Sequence, residues 1–273
     1  MVQAAVTMNQ LHHKMDNIAH NMANSQTTGY KSRGGEFSSL IHQQMDNLDA
    51  PENAQGRLTP DGVRVGSGAR MGATNIDLSQ GTINQTDRAL DTALTESNQL
   101  FQIQVTSDGT TETFYTRDGA FYLSPINADQ DVMLTTSDGY PVLGEDGPII
   151  IDSGFTGLEI RPNGEIAVNR DGTTENEARI EVVETSRPYL LESAGSNLFR
   201  LPDLDELGYG FGDIIEVTAP EEDVLQSSAL EQSNVNLAAE MSDLILAQRS
   251  YQMNARSISM SDQMMGLVNQ LRS

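Results

Sequence analysis

Apolar residues in this chain follow two different rhythms. At the N-terminus, Met1, Ala4, Met8, Leu11, Met15, Ile18 and Met22 are spaced 3, 4, 3, 4, 3 and 4 apart. That is a heptad a/d series and predicts an amphipathic helix over 1–24 with a narrow apolar seam. At the C-terminus, Leu237, Met241, Leu244, Tyr251, Ala255, Ile258 and Met265 are spaced 4, 3, 7, 4, 3 and 7 apart, with Gln248 and Asp262 at the two skipped positions. No proline interrupts this run, and a helix of that length measures roughly 50–60 Å. A seam so narrow on a helix so long needs a partner helix. The N-terminal seam is the candidate. Methionine at four of its seven positions gives an adaptable surface rather than a uniquely packed one.

Between the ends the rhythm changes to two. Phe101, Ile103 and Val105 alternate with Gln102, Gln104 and Thr106. Leu158 and Ile160 precede Pro162-Asn163-Gly164, and Ile166 and Val168 follow it, which predicts a hairpin. Ile180 and Val182 continue the alternation. Asp-Gly pairs begin at 61, 108, 118, 138, 146 and 171, each read as a turn between short antiparallel strands. Residues 34–48 fit either a short helix or a strand. Proline, glycine and asparagine punctuate 49–70 and predict a linker or extended arm. The fold class expected is α+β: long terminal helices that pair in a coiled-coil-like seam, flanking an inserted antiparallel β domain. The expected boundaries are 1–48 for the N-terminal helix and turn, 49–72 for the arm, 73–219 for the β domain, and 220–273 for the C-terminal helix, opening near Pro220.

Charge sharpens this division. The chain carries 16 Lys+Arg against 39 Asp+Glu, a net charge of −23. Residues 51–220 hold 10 positive and 28 negative charges, a net of −18, so both ends are much closer to neutral. So acidic a chain is repelled by nucleic acid and by anionic headgroups, which excludes both as partners. There is no cysteine, hence no disulfide, thiolate metal site or cysteine nucleophile. No apolar run reaches the 18 or so residues of a membrane span, and the start lacks the layout of a cleavable signal peptide.

Candidate chemistry is sparse. His12 and His13 are adjacent, and neighbouring helical residues point about 100° apart, a poor chelating geometry. His20 and His42 lie apart. Asp203, Asp205 and Glu206 before Gly208 have a calcium-loop flavour but lack the ligand before glycine and the closing glutamate. Gly66-Ser-Gly68-Ala-Arg-Met-Gly72 has no strand pattern before it and reads as arm. No nucleophile elbow, phosphate loop or zinc-protease motif is present. No catalytic, cofactor-binding or metal-binding residue is assigned, and no enzymatic activity is expected.

Five stretches, at the start, middle and end of the chain, together carry a resemblance. Met15-Asp-Asn-Ile-Ala-His-Asn-Met-Ala-Asn-Ser-Gln-Thr-Thr-Gly-Tyr-Lys31 is similar to the N-terminal signature of bacterial flagellar axial proteins, with His20 where asparagine is usual. Leu78-Ser-Gln-Gly-Thr-Ile-Asn-Gln-Thr86 and Tyr115-Thr-Arg-Asp-Gly-Ala-Phe121 resemble their central motifs. Gln232-Ser-Asn-Val-Asn-Leu-Ala-Ala-Glu-Met241 and Gln248-Arg-Ser-Tyr-Gln-Met-Asn-Ala255 resemble their C-terminal one. The pieces span nearly the whole chain in the family's order and most resemble a distal-rod subunit of the basal body. Thr95-Glu-Ser-Asn-Gln-Leu-Phe101 departs from the family's glycine-rich turn, and the start is a few residues shorter than usual.

The resemblance implies a structural subunit exported unfolded through the flagellar secretion channel, without a cleaved signal. It implies helical self-polymerisation through the paired end helices, with the β domain outside the inner tube. It implies contacts with other rod and hook subunits and with the export apparatus, a place in the basal body within the cell-wall zone, and transmission of torque from motor to hook. The assembly residues expected are Met8, Leu11, Met15, Ile18, Met22, Leu237, Met241, Leu244, Tyr251 and Ile258, with Asn24, Thr28 and Gly29 shaping the turn after the first helix. A proximal-rod or hook-type subunit is the nearest alternative. An extracellular adhesion or assembly protein, or a carboxylate-dependent hydrolase, are more distant ones.

Overall fold

The computed structural model describes residues 2–39, 42–45, 63–66, 69–107, 109–126, 131–170, 172–195, 197–202, 208, 210–219 and 223–272. The chain divides into two compact units, one made of 1–22, 33–75 and 237–273, the other of 23–32 and 76–236.

The first unit holds both helices. The N-terminal helix spans Val2–Ala23 and the C-terminal helix Leu237–Arg272. At 1.5 Å per residue the second is about 54 Å long. On the first helix Leu11, Ile18 and Asn21 are buried, on the second Ala247. The helices touch where Asn21 Nδ2 donates to Glu240 Oε1 at 2.8 Å. Asn21 also brackets Arg33. Its Nδ2 donates to the Arg33 carbonyl and its Oδ1 accepts the Arg33 N–H, both at 3.0 Å.

Two strand pairs complete this unit: Arg33–Ser39 beside Ala69–Ile76, and His42–Met45 antiparallel to Val63–Gly66. The segment 34–48 is thus strand wherever it is described. The expected arm contains paired strand at 63–66 and from 69 onward. The Asp-Gly pair at 61 lies outside the described residues.

The second unit is antiparallel β. Its largest sheet has six strands in the order 192–195, 198–200, 110–116, 99–107, 182–185 and 215–217. The central strand Gln99–Ser107 explains why the sheet is covered on both sides. Phe101 and Ile103 face a core with Phe121, Leu134, Ile151 and Ile166, while Leu100 faces a second cluster with Leu78, Tyr115, Phe199 and Ile214. Alternate residues of a strand point to opposite faces, so one strand serves both clusters. Phe101 and Phe121 meet edge to face, with ring centroids 5.1 Å apart.

The expected hairpin forms with Ile160 opposite Ile166, and Gly164 takes φ +87° in its turn. Gly109, Gly139, Gly147 and Gly172, the glycines of four Asp-Gly pairs, also take positive φ.

The C-terminal helix begins at Leu237 rather than near Pro220. Residues Leu225–Ser227 and Ala229–Glu231 are strands instead, paired with Thr92–Leu94 and Ile83–Gln85. Two facts exclude helix there. Ser228 has φ +52°, which breaks any helical run, and Glu231 is drawn into the interior by cations on other segments.

Candidate functional site: the Glu231 junction and the helix faces

Residues from three of the stretches that carry the family resemblance, Lys31, Ser79 with Gly81, and Arg117, meet in the second unit at the carboxylate of Glu231, which directly precedes a fourth. Glu231 Oε1 lies 2.7 Å from Lys31 Nζ, and Glu231 Oε2 lies 2.6 Å from Arg117 Nε. All three side chains are buried. The remaining hydrogen-bonding capacity is largely used. Lys31 Nζ donates to the Ser79 carbonyl at 2.6 Å, and the Gly81 N–H donates to Glu231 Oε1 at 2.7 Å. Arg117 Nη1 donates to the carbonyls of Ser97 and Gln99, at 2.9 and 2.5 Å. Arg117 Nη2 is buried with no partner.

Two cations share one carboxylate here. Burial, then the charge of Arg117, pulls the Lys31 ammonium below the usual lysine range, opposed by Glu231. Burial likewise lowers Arg117, again opposed by Glu231. A buried ion cluster contributes little net stability compared with an apolar core, but loss of one partner leaves an uncompensated buried charge. The junction therefore demands that all three segments be in place together.

Backbone and neutral groups repeat the theme. The Gly29 N–H donates to the Glu231 carbonyl at 2.8 Å. Gly29 has φ +64°, and a Cβ there would stand 2.6 Å from the Asp118 nitrogen, so both conformation and space require glycine. Thr28 donates its hydroxyl to Asp118 Oδ1 at 3.0 Å, and its carbonyl accepts from Asn197 Nδ2 at 2.8 Å. Asn234 accepts the Ser32 N–H at 2.7 Å and donates to the Asp77 carbonyl at 2.8 Å.

Asp118-Gly119 is therefore not the hairpin turn expected. Its carboxylate receives the turn after the first helix, and Gly119 packs against the Thr92 carbonyl, where a Cβ would stand 1.8 Å away. Burial raises the Asp118 carboxyl, partly offset by the Ala120 N–H and the Thr28 hydroxyl.

The residues expected to direct assembly fall in both units. Asn24 closes the turn after the first helix: its carbonyl accepts the Thr27 N–H at 3.1 Å and its Oδ1 accepts the Thr27 hydroxyl at 3.3 Å. Thr28 and Gly29 belong to the junction. On the helices, Leu11 and Ile18 are buried, while Met8, Met15, Met22, Leu244, Tyr251 and Ile258 are half-buried. Leu237 and Met241 are exposed.

Two features have no counterpart in the sequence reading. One is the junction itself. Its signal was a lysine and an arginine inside short motifs of a chain with few cations, each of which needs a carboxylate once buried. The other is a second apolar face on the C-terminal helix. Leu246, Met253, Met260 and Leu267 recur every seventh residue and are all exposed. At about 100° per residue they lie on the side opposite the covered positions Leu244, Ala247, Tyr251 and Ile258. Each helix carries no net charge. Val2–Ala23 has Lys14 against Asp16, and Leu237–Arg272 has Arg249, Arg256 and Arg272 against Glu240, Asp243 and Asp262. The whole −23 resides in 24–236.

An antiparallel β unit whose ends are tied at one carboxylate, together with two neutral apolar-faced terminal helices, fits what the resemblance to flagellar axial subunits implies. Known proteins agree. The model of the flagellar hook protein FlgE/F/G D1 domain matches residues 95–168, and that of the flagellar basal body rod FlgEFG protein C-terminal region matches 226–271. The flagellar hook-basal body complex protein FlhP of Bacillus subtilis (strain 168) is 40% identical over 280 residues, covering 100% of this chain and 98% of its own. The flagellar basal-body rod protein FlgG of Borreliella burgdorferi is 34% identical over 277 residues, covering 98% and 97%. FlgG of Bacillus subtilis (strain 168) is 31% identical over 255 residues, covering 92% and 90%. The chain belongs to this family of flagellar basal-body rod proteins, as a member of the FlgG and FlhP type. Among the described residues no helix is long and apolar enough to cross a membrane.

Proposed function

We propose that this chain is a non-enzymatic distal-rod subunit that polymerises helically through its terminal helices and passes torque from motor to hook. Its partners are further copies of itself, the neighbouring rod and hook subunits, and the export apparatus that delivers it to the basal body. The observation that carries this reading is the C-terminal helix with two opposed apolar faces, one partly covered by its own chain and one exposed. A lone amphipathic helix gains little stability until its apolar face is covered. A single partner helix covers one face, so a second face asks for a second neighbour. The contact is heterologous, helix against a different helix face, and a heterologous contact that does not close builds a helical polymer.

The coiled-coil-like seam belongs to this proposal. Met8, Leu11, Met15, Ile18 and Met22 meet Leu244, Tyr251 and Ile258 along it, and Leu237 and Met241 extend it toward the next subunit. Net-neutral helices allow copies to approach closely, while the −23 carried by 24–236 keeps the unassembled chain soluble. Asn24, Thr28 and Gly29 fix how the chain leaves the first helix.

The test is Leu244→Asp and, separately, Ile18→Asp in the full chain. Each should abolish polymer formation in sedimentation while the β unit keeps its circular-dichroism signature and unfolding midpoint. Polymers formed by either variant at the wild-type critical concentration would remove the seam from the account.

A further inference from the structure

The exposed face of the C-terminal helix carries three thioethers among its leucines. Met253, Met260 and Met264 are 69%, 57% and 61% exposed. Met241 and Met265 on the same helix are exposed as well. Met8, Met15 and Met22 on the other helix are half-buried. The chain has no cysteine, so no thiol competes for an oxidant.

We propose that Met253, Met260 and Met264 form an oxidation site whose modification by peroxide withdraws the unassembled chain from polymerisation. This rests on the proposed self-association through the same face. The chemistry is a two-electron oxygen transfer. The thioether sulfur attacks the distal oxygen of hydrogen peroxide, the O–O bond breaks and an S–O bond forms. Sulfur is oxidised to the sulfoxide, and the remaining oxygen leaves as water after taking up a proton.

A sulfoxide is polar where the thioether was apolar, and it disrupts methionine-rich contacts. Met253 and Met260 lie in the same seven-residue row as Leu246 and Leu267, and Met264 lies one turn beyond Met260. Three sulfoxides therefore place polar oxygens along one apolar stripe. Assembly buries the same sulfurs, so polymer is protected and only unassembled chain is modified.

The test uses the full-length chain with hydrogen peroxide, sulfoxide mapping by peptide mass spectrometry, and polymer sedimentation. A triple variant, M253L/M260L/M264L, keeps volume and apolarity without sulfur. Sulfoxide should appear on Met253, Met260 and Met264 before Met8, Met15 and Met22. Treated wild type should associate about tenfold or more weakly than untreated, and the treated triple variant should associate like its untreated form. The proposal is overturned if wild type carrying all three sulfoxides still assembles normally, if the N-terminal methionines oxidise first, or if peroxide disables the triple variant equally. Failure of untreated wild type to self-associate would overturn the assembly reading itself, and this inference with it.

Discussion

Lys31 and Glu231 are 200 positions apart in the chain, and their charged atoms are 2.7 Å apart in the fold. Arg117 holds the other oxygen of the same carboxylate. The β unit is thus not closed by its own strands alone. It is completed when the residues after the first helix and those before the last arrive at the same carboxylate.

Replacement of Glu231 by Gln should be the most damaging conservative change in the β unit. It preserves shape but leaves Lys31 and Arg117 as uncompensated buried cations. The expected cost is about 3–5 kcal/mol. Chemical denaturation of the full chain measures it. A loss below about 1 kcal/mol would mean that Glu231 does not carry the junction.

Gly29→Ala acts at the same place by a different route. The left-handed backbone and the Asp118 nitrogen both oppose a Cβ. The expected destabilisation is roughly 1–3 kcal/mol from the backbone alone, with more from the close contact. Gly109→Ala, with φ +81° but open space around it, is the control and should cost less. Equal unfolding midpoints for the two would contradict the close packing at Gly29.

Acid titration should reveal Asp118. Burial raises its carboxyl above the ordinary 3.8. Between the unfolded and the raised folded value, the folded state holds more protons than the unfolded one. Stability therefore rises as pH falls through that window and drops as pH rises through the folded value. Asp118→Asn keeps an acceptor for the Thr28 hydroxyl and removes the charge. It should flatten this part of the stability–pH curve, leaving the contribution of Glu181, whose carboxyl burial also raises. An unchanged slope in the variant would exclude Asp118 as its source.

Met253→Asp on the exposed helix face should leave monomer stability within about 0.5 kcal/mol, as for most surface changes. It should nonetheless block polymer formation. Thermal melting and sedimentation of the same sample separate the two. Normal assembly of the variant would show that the face is not used.

Much of the fold was legible because periodicity reports burial. Steps of three and four marked both helices, and alternation marked the strand that carries Phe101 and Ile103. The Pro162-Asn163-Gly164 hairpin followed from turn chemistry alone. The start of the last helix was misplaced because Leu225–Glu231 has no strong pattern of its own. What makes those residues strand is pairing with Thr92–Leu94 and Ile83–Gln85, more than 100 positions away. The junction was hidden for a related reason. A glutamate in a chain with 39 acids gives no local sign of being the one buried between a lysine and an arginine. The second helix face is hard to see in the sequence because Leu246, Met253, Met260 and Leu267 share their helix with a fuller seam.

Electron microscopy of basal bodies from a strain lacking this gene tests the central claim most directly. The account predicts a truncated rod with no hook, restored by the wild-type gene and not by Leu244→Asp. Basal bodies with rod and hook intact would contradict it, since the chain would then lie outside the essential axis.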